Sequence, residues 1–137
     1  MNLRLRPLTA DDLETVRQLR NANRHAFFDD REISAEDQRR WFERLPARPV
    51  QFMVIEFDQC VIGTISVAET SAGKEIGNLI LDPQYRGRGI MRQAVEQLTV
   101  EPGRCLAEIK ADNEPSQRVF AAAGFTPDVI RVRKEVW

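Results

Sequence analysis

The segment from Leu79 to Leu98, LILDPQYRGRGIMRQAVEQL, constrains the fold of this chain more than any other. An apolar strand end meets a proline turn, then two glycines separated by one residue, then a helix. In that helix Ile90, Ala94 and Leu98 share one face, with Met91 and Val95 beside it. A strand that turns through such a corner directly into a helix leaves several backbone N–H groups unpaired at the positive end of the helix dipole. Gly87 and Gly89 allow positive φ and a close approach of the backbone, and Arg86 and Arg88 add formal charge. The corner is an anion site by construction. A Walker A loop requires Gly-Lys-Ser/Thr where Ile90 and Met91 stand, and a dinucleotide fingerprint requires a small residue where Arg92 stands. Neither pattern fits.

The remaining chain supplies a sheet and its covering helices. Leu3 and Leu5 alternate with Arg4 and Arg6, the period of a half-buried strand. Thr9 and Asp12 form a capping box ahead of Leu13, Val16 and Leu19, and Ser34 with Asp37 repeats the device ahead of Trp41, Phe42 and Leu45. Pro46 and Pro49 end that second helix. Gln51 to Phe57 and Val61 to Ala68 read as a hairpin through Asp58 and Gln59, and a second hairpin through Ser71 to Gly73 leads into Glu75 to Leu81. Cys105 to Ile109 is a fifth strand. Pro115 and Gly124 bracket a short helix, and Phe125 to Trp137 closes the chain in one or two strands. The expected fold is α/β (α+β): a single domain over 1–137, with a mixed, mainly antiparallel sheet of six or seven strands. Helices cover both faces, and the sheet opens into a V beside the corner.

Charge and composition narrow the functional classes. Twenty Lys and Arg stand against 21 Asp and Glu, for a net charge of −1, so no basic field for nucleic acid or an anionic membrane is expected. No apolar run approaches the ~20 residues of a membrane span, and the amino-terminal stretch lacks a signal-peptide core. Cys60 and Cys105 lie in strand-like runs without CxxC spacing, and His25 is the lone histidine. They read as buried structural thiols of a cytoplasmic protein, with no metal site.

The stretch QYRGRG resembles the acyl-CoA loop of the Gcn5-related N-acetyltransferases: Gln or Arg, two residues, Gly, one residue, Gly or Ala. That family places the loop after its fourth strand, often behind Asp-Pro, as LILDPQYRGRGI does here. Asn113, Ser116 and the pair Gly124 and Phe125 match its later Asn, small residue and Gly-Phe. The resemblance implies transfer of an acetyl group from acetyl-CoA to a primary amine by direct attack on the thioester, with no metal. It implies that Leu79, Leu81, Arg86, Gly87, Arg88, Gly89, Ile90, Met91 and Asn113 bind the donor, the diphosphate on the corner amides and the pantetheine arm along the strand edge. Asn113 also suits an ordinary helix cap.

For the base that must take a proton from the ammonium, Glu108 resembles the glutamate of ribosomal-protein N-terminal acetyltransferases, and Glu75 on the preceding strand is the alternative. The family's usual Tyr seven residues beyond the Asn, which protonates the leaving thiolate, is Phe120 here, leaving Ser116 or water. Arg20, Arg24, Phe28 and Trp41 fall where the family builds its acceptor side. They suit an amino-sugar nucleotide or similar small metabolite ahead of a protein N-terminus. A non-catalytic acyl-CoA-binding module is the competing class. The assembly expected is a monomer or homodimer.

Overall fold

The computed structural model describes residues 3–127 and 134. Strands β1 (Leu3–Pro7), β2 (Val50–Phe57), β3 (Cys60–Thr70) and β4 (Gly73–Leu81) pair antiparallel in sequence order, and β5 (Cys105–Leu106) lies parallel to β4. The sheet is therefore mixed and mainly antiparallel, with five strands among the described residues. Of the terminal strand or strands expected over 125–137, residues 128–133 and 135–137 lie outside the described ones, and 125–127 carry no strand.

Among the described residues four α-helices complete the order: α1 (Leu13–Ala22) and α2 (Ala35–Arg44) between β1 and β2, α3 (Ile90–Leu98) after β4, and α4 (Glu114–Ala122) after β5. Successive side chains of a strand face opposite ways, so a strand buried residue after residue must be covered on both faces. β3 meets that condition, with Thr64, Ile65 and Ser66 each at most 3% exposed. Ile90, Met91, Ala94 and Val95 of α3 and Phe120 of α4 cluster with Ile55, Ile65 and Ile76 of the sheet. α1 packs on β3 and β4 with Val16 and Leu19 buried.

Local chemistry accounts for the turns. Asp58 and Gln59 both take positive φ, 50° and 70°, the requirement of the tightest hairpin turn, met here without glycine. That turn leaves Cys60 at its exposed end, and Cys105 is half-buried; both are free thiols. The expectation of buried thiols therefore fails, because the first residue after a two-residue hairpin tip projects at the sheet margin. At the amino end, Asp12 accepts from the Thr9 N–H at 2.8 Å and takes a forked pair of bonds from Arg6 at 2.8 and 2.9 Å. Arg6 also reaches Glu56 on β2 at 2.8 Å, so one guanidinium fastens β1, β2 and the entry to α1.

Two features open the sheet. Asn78 has φ 53°, and the β3–β4 register slips there, from Thr64 opposite Ile80 to Ser66 opposite Gly77. The bulge is held from β3: Thr64 Oγ1 donates to the Asn78 carbonyl at 2.7 Å, and Asn78 Nδ2 donates to Ser66 Oγ at 2.9 Å. Gly63 lies so close to the Ile80 carbonyl that a Cβ would overlap it. β5 pairs with β4 only at Lys74 with Cys105 and Glu75 with Leu106, then diverges. It is thus shorter than the strand expected to Ile109, because a bent β4 cannot keep a straight neighbour in register.

Candidate active site

The corner is built as its glycines require. Asp82 Oδ1 accepts from the Gln84 N–H at 3.0 Å, closing a 3-10 turn over Pro83–Tyr85. Gly87 and Gly89 follow with φ 78° and 75°, and a Cβ at either would meet nothing within 4 Å. They serve backbone conformation rather than internal packing. Gly89 caps α3 without a side chain, and the first helical bond runs from Gln93 to Gly89. Among the described residues the N–H groups of Gly87 through Arg92 have no acceptor. Ile90 and Met91 are buried, so only their amides are on offer. Six unpaired amides beside Arg88, whose guanidinium lies 5.1 Å over the Tyr85 ring, suit a diphosphate.

Beyond Glu75 the β5 side of β4 has no partner strand among the described residues. An extended chain of amides could pair there as an added strand. The gap is a cavity of about 250 Å³. Its walls come from four places: β4 from Glu75 to Leu79, Glu108 and Ile109 after β5, Asn113, Ser116 and Phe120 at α4, and Ala26 to Phe28 after α1. Glu75 is half-buried and Glu108 exposed, and neither carboxylate has a hydrogen-bond or ion-pair partner among the described residues. Asn113 Oδ1 accepts from the Ser116 N–H at 3.2 Å, capping α4, which leaves its Nδ2 free.

The acetyltransferase (GNAT) domain pattern matches residues 2–126. The chain belongs to the GNAT acetyltransferase family. Solved structures with the same fold include the spermidine N-acetyltransferase of Vibrio cholerae in complex with CoA and spermine. Its TM-score is 0.78 at 18% identity, over 93% of this chain and 82% of that one. An N-acetyltransferase from Staphylococcus aureus Mu50 has a TM-score of 0.73 at 22% identity, over 89% and 82%. The phosphinothricin acetyltransferase of Sinorhizobium meliloti in complex with acetyl-CoA has 0.73 at 20%, over 90% and 75%. No curated protein matches the chain. As a GNAT member the protein is an acetyl-CoA-dependent acyltransferase, and the free amides and open strand edge fit that donor. No helix among the described residues is long and apolar enough to cross a membrane, and no group of three metal-ligating side chains occurs among them.

The fold brings Glu75, Glu108, Asn113, Ser116, Leu79 and Phe28 to one cavity. It brings Phe120 there too, at the place of the usual GNAT tyrosine, with its ring edge-on to Phe125. Leu81 is half-buried against the core. Arg86 donates to Asn23 Oδ1 at 2.6 Å. The acceptor candidates separate. Phe28, 61% exposed, stands at the cavity lip. Arg20 lies 3.6 Å over the Phe27 ring and donates to the Asp29 carbonyl at 2.6 Å. Burial lowers its pKa. Arg24 pairs with Glu32 at 3.8 Å, and Trp41 packs edge-on against Phe52 of β2, outside the cavity lining. Two participants were not singled out from sequence: Phe27 adjoins Phe28 in the lip, and Asn23 meets Arg86. Asn78 forms the bulge, an Asn in a strand pattern being a residue that tolerates positive φ.

Proposed function

We propose that the protein acetylates a cationic primary amine, and that Glu75 or Glu108 takes the proton the amine must lose. The observation that carries this reading is the charge of the cavity. Among the described residues its ionisable lining groups are two unpartnered carboxylates, with no Lys, Arg or His, and its lip is the aromatic pair Phe27 and Phe28. Carboxylates attract an ammonium, and aromatic faces add cation–π attraction at a partly exposed site. A diphosphate-bearing amino sugar needs a free cation. Arg24 is paired with Glu32, Arg31 with Asp29, and Arg20 is turned under Phe27. The cavity chemistry therefore favours a small cationic amine over the amino-sugar nucleotide.

The chain's groups divide the work. The amides of Gly87 to Arg92 hold the diphosphate, the open edge of β4 and Asn113 Nδ2 hold the pantetheine arm, and Glu75 and Glu108 orient the ammonium. Bound acetyl-CoA supplies a thioester carbonyl open to attack by a neutral amine. One carboxylate accepts the ammonium proton so that the nitrogen lone pair becomes available. Phe120 has no proton for the departing thiolate, which leaves Ser116 or water to supply it.

Release of free thiol from acetyl-CoA tests the reading against a panel of polyamines, small monoamines, peptide N-termini and amino-sugar nucleotides. Cationic amines should turn over best, and replacing the true base by Gln should cut kcat and shift the pH profile, with donor affinity retained. Turnover of peptide N-termini alone would favour the N-terminal reading. Preference for amino-sugar nucleotides would overturn the charge argument, and acetyl-CoA binding with no turnover of any amine would leave a binding module.

A further inference from the structure

The lip that carries Phe27 and Phe28 belongs to residues 23–33, whose only regular structure is a 3-10 turn over Arg24–Ala26. Such a segment has few backbone bonds of its own, and side chains from other elements hold it: Asn21 of α1 exchanges two hydrogen bonds with the Ile33 backbone at 2.8 and 2.9 Å, and three cations hold the rest. Arg20 of α1 stacks on Phe27 and bonds the Asp29 carbonyl, and Lys110 after β5 donates to the His25 carbonyl at 3.0 Å. Arg86, inside the glycine corner, donates to Asn23 Oδ1 at 2.6 Å across 63 residues of chain. Asn23 is itself anchored, its Nδ2 donating to the Leu19 carbonyl at the end of α1 at 2.8 Å. Among the described residues, the Arg86–Asn23 contact is the one side-chain hydrogen bond between the corner and the lip.

From this geometry we infer that Arg86 and Asn23 are positioning residues that register the acceptor lip against the donor loop. Donor binding at the corner then orders the lip before the amine enters. The inference rests on the proposed placement of acetyl-CoA. Its physical basis is that a diphosphate on the amides of Gly87 to Arg92 fixes the backbone that carries Arg86. An arginine on a fixed backbone holds Asn23, and the chain leading to Phe27, more narrowly than one on a mobile loop. Coupling of this kind is an equilibrium between two sites and needs no contact between donor and lip.

Hydrogen–deuterium exchange with acetyl-CoA as the probe tests it without an identified acceptor. In the wild type, acetyl-CoA should slow exchange about threefold or more at residues 86–92 and also at 23–32. Asn23→Ala should keep the first protection and lose the second, while calorimetric affinity for acetyl-CoA stays within about threefold. Asn23→Asp, which keeps an acceptor for Arg86 but loses the donor to Leu19, should restore the response at 23–32. If Asp behaves as Ala does, Asn23 merely ends α1 and the inference is overturned. Protection at 86–92 with unchanged or faster exchange at 23–32 in the wild type also overturns it and spares the donor site. No binding and no protection anywhere overturns the donor placement, and this inference with it.

Discussion

Asp12→Asn at the amino-terminal ion network should remove a stabilisation that depends on pH in a calculable way. Bonds from Arg6 hold the Asp12 carboxyl at about 2 against an ordinary 3.8. Burial opposes that lowering, and the Thr9 amide and hydroxyl reinforce it. Because the folded pKa is depressed, the stability is present above the unfolded value and is lost as pH falls through the folded one. A drop from 3.8 to about 2 is worth about 2 kcal/mol at neutral pH, of which roughly half should be gone by pH 3. The side chain is 7% exposed, so solvent screening takes little from this. Asp29, also held near 2 by Arg31, titrates in both proteins and cancels in the comparison. Urea unfolding of wild type and variant at pH 7 and pH 3 should show the gap between them narrowing by that amount. A gap constant with pH, or a carboxyl carbon of Asp12 that titrates near 3.8 by NMR in the folded protein, would refute the reasoning.

Three further outcomes are expected. Arg88→Glu should weaken acetyl-CoA binding at least tenfold by calorimetry while leaving Tm nearly unchanged, because the side chain is exposed and lies over the Tyr85 ring. Phe120→Tyr places a hydroxyl at the cavity wall where the family usually has one, and should raise kcat with a modest loss of stability. Lower kcat with an unaltered fold would show that the apolar wall matters more than a proton donor. Gly63→Ala sets a Cβ against the Ile80 carbonyl, a backbone atom that cannot swing aside, and should cost about 2 kcal/mol or more in urea unfolding.

Much of this molecule is local, and local features are legible in a sequence. The hairpins, the Ser34 cap, and the helices that begin at Ile90 and near Pro115 depend on residues a few positions apart. So does the anion-binding corner, whose glycines take the positive φ that their spacing implies. The family pattern over residues 2–126 agrees with what QYRGRG and LDP suggested. What the tertiary structure decided are matters of facing and pairing. Trp41 and Phe28 are both aromatic residues in the same third of the chain. Only packing places one against Phe52 and the other at the cavity lip. Arg20 and Arg24 read as available cations until their partners, Phe27 and Glu32, are seen beside them, because such a contact depends on three-dimensional proximity that composition does not encode. Cys60 belongs to an apolar run yet is exposed, since a strand's alternation does not say where the sheet ends. The meeting of Glu75 with Glu108 at one cavity, and of Arg86 with Asn23, joins residues far apart in the chain, and only the packing of the elements that carry them brings it about.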